Sequence, residues 1–68
     1  MQELDYLKMG KRIRQLRKVK GWSQEKLAAK CGISQNFMGK IERGDRKMSM
    51  DTFARLCMEL ETDADALL

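Results

Sequence analysis

The stretch SQEKLAAKCGISQNFMGKIERG, residues 23–44, holds two helix starts and two helix stops in quick succession. Ser23 is a favoured N-cap, and Glu25 in the first turn suits the positive end of a helix dipole. A short helix therefore begins at Gln24, turns Leu27, Ala28 and Cys31 inward, and stops at Gly32, where glycine takes a left-handed conformation at little cost. Ser34 caps the next helix, Gln35 to about Arg43, which Gly44 ends. Two short helices joined by a tight glycine turn predict a helix-turn-helix over about residues 24–43. Small Ala28 lets the two helices cross closely, and Leu27, Ile33, Met38 and Ile41 wedge them onto the rest of the domain.

Outward from this segment the chain continues to read as helix. It contains no proline, and helix formers fill the intervals between its glycines. Met9, Ile13, Leu16 and Lys20 recur at intervals of four and three, placing a stripe on a helix of roughly residues 5–20 that Gly21 ends. Ser49 precedes Met50, Phe53, Leu56, Cys57 and Leu60, a fourth amphipathic helix with its stripe toward the core. Thr62 or Asp63 caps a last turn from Ala64 to Leu68. The expectation is an all-α, five-helix, single domain spanning residues 1–68.

At 68 residues the chain buries only about 60% of the surface its unfolded form exposes, so extra stabilisation is expected. Zinc would lack ligands, because there is no histidine and Cys31 and Cys57 have no CxxC partner. A Cys31–Cys57 bridge is conceivable, but the absence of a secretory leader points to a reducing compartment and buried free thiols. A second copy of the chain is then the supplement that remains. No apolar run approaches the ~20 residues needed to span a bilayer, so the expected location is the cytoplasm. An enzyme is the poorest reading: no nucleophile–base pair, metal set or cofactor site is suggested, and the chain has little room for a pocket.

Charge is distributed unevenly. From Tyr6 to Gln24 lie Lys8, Lys11, Arg12, Arg14, Arg17, Lys18 and Lys20 and no acid. Residues 1–50 are net +8 and residues 51–68 net −4. A basic front is the footprint of a polyanion binder, with nucleic acid the first candidate and an anionic membrane surface second; a merely solvated helix face is the alternative. The wheel of the helix after Ser34 narrows this. Gln35, Asn36, Gly39, Lys40 and Arg43 share one arc, with Met38 and Ile41 opposite. Glutamine and asparagine can read adenine in a bidentate pattern, and lysine donates to guanine or phosphate. Gly39 costs about 1 kcal/mol relative to alanine, and either lets the backbone approach a duplex closely or is simply tolerated. Ser23 and Gln24 open a helix whose free N–H groups attract an anion, and Arg43, Arg46 and Lys47 flank Gly44 as candidate backbone grips, with Ser34 at the head of the recognition helix.

The segments Ile13-Arg14-Gln15-Leu16-Arg17, Gly21-Trp22-Ser23-Gln24, Leu27-Ala28, Gly32-Ile33-Ser34, Ile41-Glu42-Arg43-Gly44 and Leu67-Leu68 resemble the lambda repressor and Cro type of helix-turn-helix regulator, also named for the xenobiotic response element. The resemblance covers nearly the whole chain and implies a sequence-specific regulator of transcription bound to double-stranded DNA. It implies a structural ion pair between Arg17 and Glu42, a core position for Trp22, and a twofold axis near Leu60, Leu67 and Leu68. A homodimer on a near-palindromic operator is the expected assembly, since one module reads only a few base pairs. The competing reading is a protein-interaction module, such as an antitoxin or bridging factor, because one fold serves several uses.

Overall fold

Serine and aspartate hydroxyl or carboxylate oxygens open every helix among the described residues. The computed structural model describes residues 5–68, and its helices run α1 Tyr6–Val19, α2 Gln24–Cys31, α3 Gln35–Glu42, α4 Met50–Glu59 and α5 Ala64–Leu67. Asp5, Ser23, Ser34, Ser49 and Asp63 each accept a hydrogen bond from the backbone N–H three residues on, at 2.9–3.2 Å. Each such cap is worth about 1 kcal/mol, which matters for helices as short as α2 and α3. Between Thr62 and Asp63, it is Asp63 that caps α5.

The helix ends are equally local. After α2, Gly32 takes φ +72° and lets Ile33 N–H return to the Ala28 carbonyl, folding the chain sharply into α3. The same turn closes α4, but there the left-handed residue is Glu61, at φ 55°. A side chain is strained in this region, and glycine would relieve it.

Met9, Ile13, Leu27, Ala28, Met38, Ile41, Leu56, Leu60 and Leu67 form the core. Helix α2 packs on α3 and α4, while α1 packs on α3 and α5. Three expectations shift. On α1 the buried stripe is Met9, Gly10, Ile13 and Arg17; Leu16 is half-buried, because the helix turns Arg17 rather than Lys20 toward α3. On α4, Met50 is the first residue of the helix and is 78% exposed. Leu60 and Leu67 are buried inside the chain's own core at 2% and 0% exposure, so neither can reach a second subunit. Of the three leucines assigned to the twofold, only Leu68 is available, at 53%.

One helix crossing depends on a missing side chain. A Cβ on Gly10 would lie 2.5 Å from the Glu42 carbonyl oxygen and 2.6 Å from that of Ile41. Glycine there lets the α1 backbone rest directly on the end of α3, which is what brings Arg17 within reach of Glu42. The cysteines are free thiols. Burial pushes both up in pKa, with Glu59 also raising Cys31, so neither has the thiolate character of a reactive cysteine.

Candidate nucleic-acid interface

The interface is built on a buried ion pair. Arg17 on α1 donates from Nε to Glu42 Oε2 at 2.7 Å and from Nη2 to Oε1 at 3.0 Å, a two-pronged contact with α3. The two side chains are only 10% and 3% exposed. The hydrogen bond that Arg17 donates to Glu42 raises the Arg17 pKa against the opposing effect of burial, so the guanidinium stays charged. Its remaining nitrogen, Nη1, donates to the Trp22 carbonyl at 2.8 Å. Gln24 at the head of α2 completes the network by donating from Nε2 to Glu42 Oε1 at 3.1 Å. One carboxylate thus ties the end of α1, the α1–α2 connection and the head of α2 to the end of α3. A buried pair satisfied in this way fixes geometry more than it adds stability.

The geometry it fixes is a shallow concavity of about 330 Å³ between the heads of α2 and α3, lined by Gln24, Gln35, Asn36, Gly39 and Arg43. Gln35, Asn36 and Arg43 are exposed. Lys40 lies on the neighbouring flank of α3, half-buried and outside that lining. Gly39 is buried at its floor: a Cβ there would stand 3.2 Å from Arg43 Nη1 and 3.5 Å from Gln24 Oε1. What its missing side chain admits is therefore the two polar side chains that roof it.

Ser23 and Ser34 use a lone pair each to accept the capping bond from Lys26 and Phe37 N–H. Their hydroxyl protons remain free to donate, as an anion would require. Arg43 is tethered, Nε to Asp45 Oδ2 at 3.2 Å, on the exposed surface. Arg46 and Lys47 follow on the same connector, bordering a second depression with Phe37 and Asp45. Phe37 is half-buried and packs against the core. Sequence reasoning missed two contacts of this surface. Gln24 is expected at the backbone, but its bond to Glu42 joins residues 18 apart and has no local signal; Asp45 carries no expected role, and its hold on Arg43 shows only in the structure.

A compact bundle that presents the heads of two crossed helices and a polar, partly basic arc is a helix-turn-helix transcriptional regulator. A family model described as a helix-turn-helix domain matches residues 8–68, and the chain belongs to that family. It is 43% identical over 58 residues to an uncharacterised HTH-type transcriptional regulator of Bacillus subtilis, YazB, covering 85% of this chain and 84% of that protein. It is 36% identical over 63 residues to the control protein C.BamHI of Bacillus amyloliquefaciens, covering 91% and 78%. Its fold is similar to the crystal structure of the restriction–modification controller protein C.AhdI of Aeromonas hydrophila, with a TM-score of 0.88, 38% identity and coverage of 94% and 97%.

Proposed function

We propose that this helix-turn-helix transcriptional regulator reads a near-palindromic operator as a homodimer, with α3 of each copy in the major groove. Gln35, Asn36 and Lys40 meet base edges, and Gly39 keeps the helix face low between Gln24 and Arg43. Ser23, Gln24, Ser34, Arg43, Arg46 and Lys47 hold the sugar–phosphate backbone. The observation that carries this reading is the concavity at the heads of α2 and α3, where unpaired amides stand on a frame locked by Arg17, Glu42 and Gln24. Such a frame presents preset donors and acceptors, which is what discrimination between bases needs.

Of the three leucines the dimer surface keeps only Leu68. An apolar groove of about 310 Å³, bordered by Tyr6, Met48, Met50, Phe53, Ala64 and Leu68, runs along the α4–α5 end. Exposed Met50 and Leu68 on this groove support pairing there. Two recognition helices would then sit one turn apart, about 34–36 Å. The function places the chain with the DNA in the cytoplasm. In a mobility-shift assay, Gln35→Ala and Lys40→Ala lose preference for the operator while remaining folded; unchanged preference would refute the assignment. With about 8–10 phosphate contacts per dimer, log affinity falls with log salt at a slope near −7 to −9, and a flat dependence would contradict backbone binding.

A further inference from the structure

One charged cluster lies outside the reading surface. Trp22, in the α1–α2 connection, is half-buried against the core, and its carbonyl is held by Arg17. The ammonium groups of Lys20, Lys26 and Lys30 gather around its ring at 5.3, 5.8 and 4.7 Å from the centroid. Attraction to the indole face accounts for one ammonium at such a distance. All three lie within about 6 Å of one centroid, so no two are farther apart than about 11 Å, close to the Debye length of about 8–10 Å, and their mutual repulsion is not fully screened. Glu61, at the left-handed turn after α4, neutralises Lys20. Among the described residues Lys26 and Lys30 have no ion-pair partner, which leaves two positive charges uncompensated.

The position of Lys26 sharpens the point. It is the third residue of α2, and its N–H donates to the Ser23 cap. That place favours an anion, because the helix dipole is positive there, and a glutamate would close a capping box. A lysine opposes the helix's own field. Its return among the described residues is the indole contact at 5.8 Å, the longest of the three, and a local rule broken for so little is the pattern of a residue kept for a ligand. The free N–H groups at the head of α2 favour a ligand of the same sign.

We propose that Lys20, Lys26 and Lys30 around Trp22 form a phosphate-binding site. A phosphate group accepts several hydrogen bonds at once and supplies the negative charge that Glu61 does not. Lys20 then shares itself between Glu61 and the phosphate. Two sources carry this chemistry: the backbone of duplex DNA beside the bases read by α3, a case that rests on the function proposed above, and a free phosphate-bearing molecule.

Trp22 is the only tryptophan of the chain, so its emission reports on this cluster alone. The whole protein is titrated with inorganic pyrophosphate and, separately, with an operator duplex, against sodium chloride at matched ionic strength, and both are repeated on Lys26→Gln/Lys30→Gln. These exposed or half-buried side chains can change with the helix content intact, which circular dichroism checks. The expected result is a saturable change in emission beyond the salt reference that the double variant loses. A response to duplex alone identifies the backbone as the source, and with it a salt slope shallower by about 2 in the variant. A response to pyrophosphate identifies a free phosphate. If neither probe moves the emission beyond salt, or the variant responds as the parent does, the site is refuted. A mobility shift on the same samples separates the two claims: operator bound with Trp22 silent to both probes refutes the site and leaves recognition by α3 standing. Operator unbound refutes recognition, and the pyrophosphate titration still decides the site.

Discussion

Replacing Arg17 by methionine removes a guanidinium that makes three hydrogen bonds and strands the Glu42 carboxylate, whose side chain is 3% exposed. Breaking one side of a buried pair costs about 3–5 kcal/mol, because the remaining charge has lost its partner and cannot reach water. A core of this size rarely supplies more than about 3–5 kcal/mol in all, so the loss is comparable with the stability of the fold. At about 4–8 °C per kcal/mol for a domain of this length, a loss of 3 kcal/mol lowers Tm by roughly 12–24 °C. Thermal unfolding followed by far-UV circular dichroism measures it. Arg17→Met/Glu42→Leu, which removes both charges, recovers most of the loss, since an apolar pair of similar volume is often as stable as a buried ion pair. It does not recover all, because the bond to the Trp22 carbonyl is gone. A single variant melting within about 4 °C of the parent, which is less than about 1 kcal/mol, would refute the reasoning.

The two glycines that face neighbours separate folding from recognition. Gly10→Ala drives a Cβ onto the Glu42 backbone and lowers stability by about 1–3 kcal/mol, whereas Gly39→Ala displaces only the flexible ends of Arg43 and Gln24. Gly39→Ala thus keeps or raises Tm, by up to about 1 kcal/mol of helix propensity, and weakens operator binding; equal melting losses at the two sites would contradict the packing described. Leu67→Ala costs about 2–5 kcal/mol, while Leu68→Glu with Met50→Glu leaves the core intact, shifts sedimentation toward monomer and lowers Tm only by the loss of the dimer, so that the parent's Tm rises with protein concentration and the variant's does not. An unshifted dimer would exclude the α4–α5 groove. For pH, the hydrogen bond and charge of Lys20 hold the exposed Glu61 carboxyl below its ordinary 4.5. A folded pKa below the unfolded one stabilises at neutral pH, and the contribution fades as pH falls from about 4.5 through the folded value. Urea midpoints of Glu61→Gln therefore show a slightly weaker acid-side decline than the parent, and an identical decline would discount the contact.

How much of this was legible beforehand follows the range of the interactions. The caps at Ser23, Ser34 and Ser49 and the stop at Gly32 act within one turn of their own residue, so they could be read along the chain. The polar arc of α3 followed from periodicity alone. Leu60 and Leu67 were assigned outward by family precedent, yet α5 folds back on α1 and α4 and consumes both, a fact set by contacts distant in sequence. The purpose of Gly10, contact with the α3 carbonyls, has no local signal because it involves residues far along the chain. The same applies to Gln24, whose bond to Glu42 shows only when α2 and α3 are crossed.

Selection of bound duplexes from a random pool tests the central claim most directly, since it asks at once whether the chain reads DNA, with what spacing and through which residues. The account predicts enrichment of two related half-sites centred about 10–10.5 base pairs apart, with Asn36→Ala and Gln35→Ala relaxing preference at the bases beneath α3 and nowhere else. A pool that never departs from random, or one enriched identically by the parent and both variants, would contradict it.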